Sequence, residues 1–267
     1  MRILAIGDPH GNLDKIKKIT LKNVDLILLT GDIGKADLAR KIFFENQKRK
    51  QQGLLEVEET LKDVKAMHYE IHNSTISLLK YLSKYAKVYS IEGNVGIPNE
   101  FDIKKINKKL KINLPITKNY INKMKNIYIV KNSLRKINNL KIGFLEYFLD
   151  KSWVEEFKPK DYNEIIEKAK KQTEKAKKIL EKFGEIDILI CHQPPYGILD
   201  KINFPSAPKH WQGKHAGSKV ILKYIKKYQP RYVFCGHIHE GKGKAKIGDT
   251  EIYNLGYCGW KIIEFKD

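Results

Sequence analysis

Cysteine is scarce in this chain of 267 residues: Cys191, Cys235 and Cys258 are the whole complement, and no two of them form a CxxC pair. That excludes a CxxC metal or redox motif and fits a reducing compartment, with Cys191 and Cys235 expected as small buried strand residues. Long apolar runs are also missing. The longest, Val24 to Leu29 and Ile186 to Ile190, are strand-sized, far below the ~20 residues a membrane helix needs, so no membrane association is expected. Met1 to Gly7 runs straight into Asp8, leaving no room for a removable leader, and a cytoplasmic protein is expected. Neither an internal repeat, a Ser/Gly-rich linker nor a low-complexity tract marks a boundary, and the chain is long enough for a sizeable core.

Acidic residues are the minority: 31 Asp and Glu face 51 Lys and Arg, a net charge of +20. This favours an anionic substrate and keeps a nucleic-acid partner in view through phosphate neutralisation. Most lysines, however, alternate with acids along apparent helix faces. In 161–182 the residues Ile165, Ile166, Ala169, Ala176, Ile179 and Leu180, with Phe183 just beyond, form an apolar stripe, and the Lys/Glu remainder reads as a solvated face.

What is present is an alternation of short apolar strands with helical patterns, the signature of an α/β domain. Strands are predicted at Arg2 to Ile6, Asp25 to Leu29, Lys87 to Ile91, Asn126 to Val130, Leu140 to Tyr147, Ile186 to Ile190 and Arg231 to Cys235. Helices are predicted at Asp14 to Leu21, across Ala36 to Tyr85 with a break at Gly53, and at Ile103 to Leu110, Asp161 to Lys182 and Ala216 to Lys227. The tail, Lys244 to Ile247, Thr250 to Asn254 and Trp260 to Phe265, reads as a closing meander with a Gly248-Asp249 turn.

Five strand ends carry metal-ligand chemistry: Asp8-Pro-His10, Gly31-Asp32, Gly93-Asn94, His192, and Gly236-His237-Ile238-His239. Parallel strands could deliver all of them to one edge. Alternate residues in Asp8/His10 and in His237/His239 share a face if extended, so each motif can present two ligands. In this order the motifs resemble the calcineurin-like metallophosphoesterase superfamily, and the likeness runs from residue 1 to about 259.

The resemblance implies a four-layer αββα sandwich, two mixed β-sheets flanked by helices, as a single domain over 1–267 with a helical insertion at about 36–85. It implies a dinuclear centre in which Asp32 bridges, Asp8, His10 and His239 complete one metal, and Asn94, His192 and His237 complete the other. Two divalent ions are expected, manganese favoured, with iron, zinc, cobalt or nickel also fitting such a donor set. The implied reaction is hydrolysis of a phosphate ester by a metal-activated hydroxide, with both cations stabilising the developing charge.

The sequence departs from the family pattern at Val95-Gly96, where many members carry His and then an acid after Gly-Asn. Losing a general acid costs roughly 10²–10⁴ in rate, most for poor leaving groups. A phosphodiesterase is therefore favoured over a monoesterase. His215, in Gly213-Lys-His-Ala-Gly-Ser218 just before a helix, is the candidate substitute, with Asn94 and His215 expected at substrate and Tyr196 beside them. The run His192-Gln-Pro-Pro-Tyr-Gly197 with this segment also resembles the subgroup that includes the mammalian brain metallophosphodiesterases. Tyr196, Phe204 and Trp211 could stack on a base or aryl group or pack in the core. His68 and His72, at i and i+4, share a helix face and read as a packed or surface pair whose one functional use would be as a lid. Asn254-Leu-Gly256 is either a loop beside the metals or a plain turn. Two further readings stand beside the diesterase: a metal-binding scaffold without catalysis, suggested by Val95, and a nuclease, suggested by the charge.

Overall fold

The computed structural model describes residues 1–204 and 207–265. The expected four layers are present. One sheet, in the order β11-β1-β2-β3-β4, joins β1 (Arg2–Ile6), β2 (Leu26–Leu29), β3 (Lys87–Ser90) and β4 (Ile127–Ile129) in parallel, with β11 (Trp260–Glu264) antiparallel on β1. The second has the order β5-β6-β7-β8-β10-β9. Here β6 (Leu140–Leu145), β7 (Ile188–Cys191), β8 (Tyr232–Cys235) and β10 (Thr250–Asn254) are parallel, and β5 (Ser133–Ile137) and β9 (Gly243–Ile247) are antiparallel at the edges.

Strand periodicity explains the layering, because alternate side chains leave opposite faces of a sheet. Ile3, Ala5, Leu26 and Leu28 of the first sheet meet Phe144, Ile188, Ile190 and Phe234 of the second in one buried cluster between the sheets. The intervening Leu4, Ile6, Ile27 and Leu29 face outward against Ile16 of α1 (Leu13–Lys17) and Leu78, Leu79 and Leu82 of α3 (Leu61–Leu82). On the far side, Leu189, Cys191, Val233 and Cys235 are covered by α7 (Tyr162–Phe183), through Ala176, Leu180 and Phe183, and by α8 (Lys219–Tyr228), through Ile221, Tyr224 and Ile225. Both sulfurs are fully buried in that layer, as expected of small strand residues, and burial raises both thiols.

The segment between residues 36 and 85 breaks at Gly53, as its sequence predicts. α2 (Asp37–Gln51) ends there with Gly53 at φ +71°, a left-handed value that glycine adopts at no steric cost. α3 then restarts at a Thr60–Asp63 capping box. Its second half is a layer of the core, whereas α2 leaves Phe43 and Phe44 each 57% exposed. Shorter helices, α4 (Glu100–Leu110), α5 (Thr117–Ile121) and α6 (Lys151–Phe157), fill the connections. α8 begins at Lys219, three residues later than its apolar pattern suggests, because Ser218 caps it through Ile221 N.

The closing meander is a correction. β9 and β10 do form a hairpin through Gly248, but β10 lies parallel on β8, and β11 leaves for the other sheet. Its residue Ile263 is buried in the cluster between the sheets, which a third strand of a local meander would not reach. The crossing backbone passes tight against Gly7, whose N–H donates to Gly259 O at 2.8 Å; a Cβ on Gly7 would collide with the Leu255-Gly256 backbone.

Candidate metal centre

All seven expected ligands leave the carboxyl ends of parallel strands: Asp8 and His10 after β1, Asp32 after β2, Asn94 after β3, His192 after β7, and His237 and His239 after β8. Because the two sheets face each other, these ends converge from both. Asp8, His10 and His239 form one group of possible ligand atoms and Asp8, Asp32 and His192 another, with the atoms of each group within 4.8 Å of one another. Asp8 thus belongs to both groups. Asp32 also lies between the two sets, with Oδ2 at 3.7 Å from His10 Nε2 and 3.7 Å from His192 Nε2. Asn94 Oδ1 lies 2.5 Å from His192 Nε2 and 2.9 Å from His237 Nδ1, completing the second set.

The donor set fits divalent cations on three observations. His10 Nε2 is buried with no hydrogen-bond partner, a costly arrangement unless a cation takes its lone pair. His192 Nδ1 lies 2.9 Å from Thr30 O, so it carries the proton and donates, and Nε2 then turns a lone pair toward the Asn94 carbonyl oxygen. Two lone pairs facing each other favour a positive species between them, a metal ion or the second proton that Asp32 and Asp8 help His192 to hold. Third, His10, Asp32 and His237 sit at φ +42°, +43° and +64°, values that non-glycine residues adopt at a cost of ~1–3 kcal/mol each, here at the positions where ligands converge.

Neighbouring groups hold the ligands in place. Thr30 Oγ1 donates to Asp8 Oδ1 at 2.7 Å, the His237 N–H donates to Asp8 Oδ2 at 2.5 Å, and Val95 N–H donates to Asp32 Oδ1 at 2.8 Å. Thus residue 95, where the family pattern often has a histidine, contributes its backbone N–H to the Asp32 carboxylate. Gly93 and Gly236 leave no room for side chains: a Cβ on either would collide with the Asp32 or Asp8 carboxylate respectively.

Protonation follows from burial and charge. Burial, reinforced by the His192 imidazole, pushes His237 down to about 3, which leaves the ring neutral with one nitrogen lone pair to offer at neutral pH. Burial likewise lowers His10, against the pull of Asp32 and Asp8. For Asp8, burial acts upward, but His192, His239 and the His237 amide outweigh it and keep the carboxylate ionised. His192 runs the other way: burial disfavours its cation, yet Asp32 and Asp8 hold its pKa up.

Several residues at the centre were not singled out by the sequence. Tyr147 packs its ring 5.9 Å from His192 and 5.5 Å from His237. The signal lay in register: Leu145 pairs with Cys191, so the residues after β6 leave the same edge as His192. Tyr257 lies 6.0 Å from His10 and His239 and receives a hydrogen bond from Asn12 Nδ2 at 2.6 Å. Tyr257, Asn12, His10 and His239 line, with Lys35, Asp37 and Arg40, a cleft of about 570 Å³ beside the first ligand group.

The remaining expected residues are placed as follows. His215 pairs with Asp200 at 2.6 Å and lies 5.3 Å from the Tyr196 ring. The Tyr196 hydroxyl turns to Glu156, at 3.3 Å. Trp211 packs against Phe157 and Trp153, while Phe204 is exposed. His68 and His72 are buried and bind Pro115 O and Thr117 Oγ1, which ties α3 to the 115–117 segment. Asn254 is buried, its Nδ2 donating to Leu199 O and Ile238 O, so it fastens the loop between the two histidines of the last motif.

This edge, with carboxylates, imidazoles and one amide drawn from five strand ends, agrees with the comparison to known sequences: the profile of the calcineurin-like phosphoesterases matches residues 1–241. The chain belongs to that family. The family's chemistry is phosphoester hydrolysis with divalent metals. Human metallophosphoesterase domain-containing protein 1 is 39% identical over 85 residues, 30% of this chain and 24% of that protein. The UPF0046 protein K07C11.7 of Caenorhabditis elegans is 32% identical over 75 residues, 28% of this chain and 23% of that protein. These matches therefore span about a quarter of either relative. In three dimensions the phosphopantetheinyl hydrolase PptH of Mycobacterium tuberculosis superposes with a TM-score of 0.55 at 13% identity, covering 98% of this chain and 95% of that one, a likeness of fold. Among the described residues no helix is long and apolar enough to cross a membrane.

Proposed function

We propose that the chain is a dinuclear metal-dependent phosphodiesterase acting through a single domain, with Asp32 as the bridging ligand. The observation that carries this reading is the position of Asp32 Oδ2, 3.7 Å from an imidazole nitrogen of each ligand set. Two divalent cations, manganese favoured, supply when bound the Lewis acidity that activates water and neutralises phosphoryl charge. Asp8, His10 and His239 hold one, and Asn94, His192 and His237 hold the other. Asn94 is assigned a phosphoryl oxygen as well, a role its exposure supports.

Diesters are favoured because residue 95 is valine. A phosphodiester with a stabilised leaving group needs little proton donation, and His215 is the imidazole assigned to supply what is needed. The net charge of +20 favours an anionic ligand.

The test is hydrolysis of bis-p-nitrophenyl phosphate beside p-nitrophenyl phosphate, with metal-stripped protein refilled with Mn²⁺ and Asp32→Asn as control. Diester turnover that exceeds monoester turnover and disappears in the control is the expected result. Two tightly bound metals without any turnover would replace this reading by that of a metal-binding scaffold.

A further inference from the structure

We infer that Asp200 is a positioning residue that aims His215 at the leaving-group side of the metal centre, so that the Asp200–His215 pair takes the place of the donor missing at Val95. This deepens the phosphodiesterase reading and rests on it.

The loop carrying the pair is fastened to both ligand-bearing strand ends of the second sheet. Three residues after His192, Pro195 bridges in parallel to Ser218; Ser218 N–H donates to Pro194 O at 2.9 Å and Tyr196 N–H donates to Ser218 O at 3.0 Å. On the other side, Ala216 shares a buried cluster with Ile238, the residue between His237 and His239. Asn254 Nδ2 then joins Leu199 O, at 2.9 Å, to Ile238 O, at 2.8 Å. His215 is thus carried on a loop tied to both ligand-bearing strand ends.

Within that frame the carboxylate of Asp200 is 1% exposed. Its Oδ2 accepts from Gly197 N–H at 2.9 Å and Gly217 N–H at 3.0 Å, and its Oδ1 accepts from His215 Nδ1 at 2.6 Å. A buried carboxylate is tolerated where every oxygen is hydrogen-bonded, and this one spends one oxygen on a single imidazole. The backbone fixes the ring further: Lys201 and His215 form an antiparallel bridge, and Ala216 N–H donates to Asp200 O at 3.0 Å. With Nδ1–H committed to Asp200, Nε2 is the free end, on a side chain that remains 28% exposed. Among the described residues nothing hydrogen-bonds to Nε2. An acid that holds Nδ1 and leaves Nε2 open is the arrangement by which a carboxylate sets the tautomer and stabilises the cation of a proton-transferring histidine.

The step balances. As a P–O bond forms to the attacking oxygen, the bond to the leaving oxygen breaks. The imidazolium of His215 passes its Nε2 proton to that oxygen, Nδ1 keeps its own proton and goes on donating it to Asp200 Oδ1, and water returns the lost proton to Nε2.

A double-mutant cycle on the manganese-loaded full chain tests this, with Asp200→Asn, His215→Ala and the pair, on diphenyl phosphate and bis-p-nitrophenyl phosphate. Asp200→Asn is expected to lower kcat on diphenyl phosphate about 10²-fold with KM unchanged, and to affect the nitrophenyl diester much less. In the His215→Ala background the same change should alter kcat less than about 2-fold, because Asp200 acts only through the imidazole. Equal losses in both backgrounds, or on both leaving groups, would mean that Asp200 merely braces the loop and would overturn the inference. Because Asp200→Asn can loosen that loop, ¹⁵N NMR of the unaltered protein gives a second reading: His215 is expected as the Nδ1–H tautomer when neutral, and an Nε2–H tautomer would overturn it. A wild type that cleaves neither diester sinks the phosphodiesterase reading and this donor role with it, whereas an active enzyme with additive variants sinks the dyad alone.

Discussion

Glu146 offers a quantitative test of how the second sheet's edge is built. It follows β6, opposite His192 in register, and its carboxylate accepts from Glu92 N–H at 3.1 Å. Burial pushes its pKa from 4.5 up to about 7, with the Glu92 carboxylate adding to the effect, the Glu92 amide and Lys131 opposing it. The folded state therefore keeps a proton between pH 4.5 and about 7 that the unfolded state has released. Stability must fall as pH rises through that window, since the unfolded chain binds fewer protons there. The shift from 4.5 to about 7, at ~1.4 kcal/mol per unit, bounds the loss at about 3.5 kcal/mol, and less after screening of a half-buried group.

Glu146→Gln keeps an acceptor for the Glu92 amide and removes the titration. Urea unfolding of metal-free protein should show the variant and the parent within error at pH 4. By pH 8 the variant should be more stable, by up to about 3.5 kcal/mol. Titrating groups remote from Glu146 cancel in this difference. A gap that is the same at both pH values would refute the reasoning, because it would place the cost in packing and not in ionisation.

Three further outcomes are expected. His215→Ala should lower diester turnover while leaving the metal content, measured by atomic emission, unchanged; loss of a metal would make His215 a ligand and not a donor. Gly93→Ala, at φ +86° and with its Cβ directed into Asp32, should cost at least ~1–3 kcal/mol and deplete bound metal, and a variant of parental stability with two metals would contradict the close approach. Leu79→Ala, wholly buried under the first sheet, should cost ~2–5 kcal/mol in urea unfolding, against ~0.5 kcal/mol or less for the exposed Phe43→Ala, and equal costs would undo the assignment of α3 alone to the core.

Much of the candidate site was legible because metal coordination calls for a narrow set of donor side chains. Asp8, His10, Asp32, His192 and His239, each following an apolar strand, stand in the two ligand groups that the structure brings together. Asn94 and His237 join the second through the Asn94 oxygen. Less legible were the supports. Thr30, Tyr147 and Tyr257 act through position, and nothing in a threonine or tyrosine announces that a neighbouring strand will bring it against a histidine. His68 and His72 show the converse, since a spacing suited to metal binding was used to hold a loop.

The amino-acid sequence by itself determined the local periods. Apolar runs covered on both faces made strands, Lys/Glu stripes made solvated helices, glycines broke α2 and admitted the ligand carboxylates, and the ordered Asp, Asn and His residues set the donor chemistry. The tertiary structure alone decided which strands became neighbours. It sent β11 back to β1 and β10 onto β8, and so carried Tyr257 to His10 and bound the His215 loop to the His237–His239 turn. Local pattern is written in side chains a few residues apart. Strand order depends instead on which apolar faces can be buried together across more than two hundred residues, and many pairings satisfy the same local pattern until packing selects one.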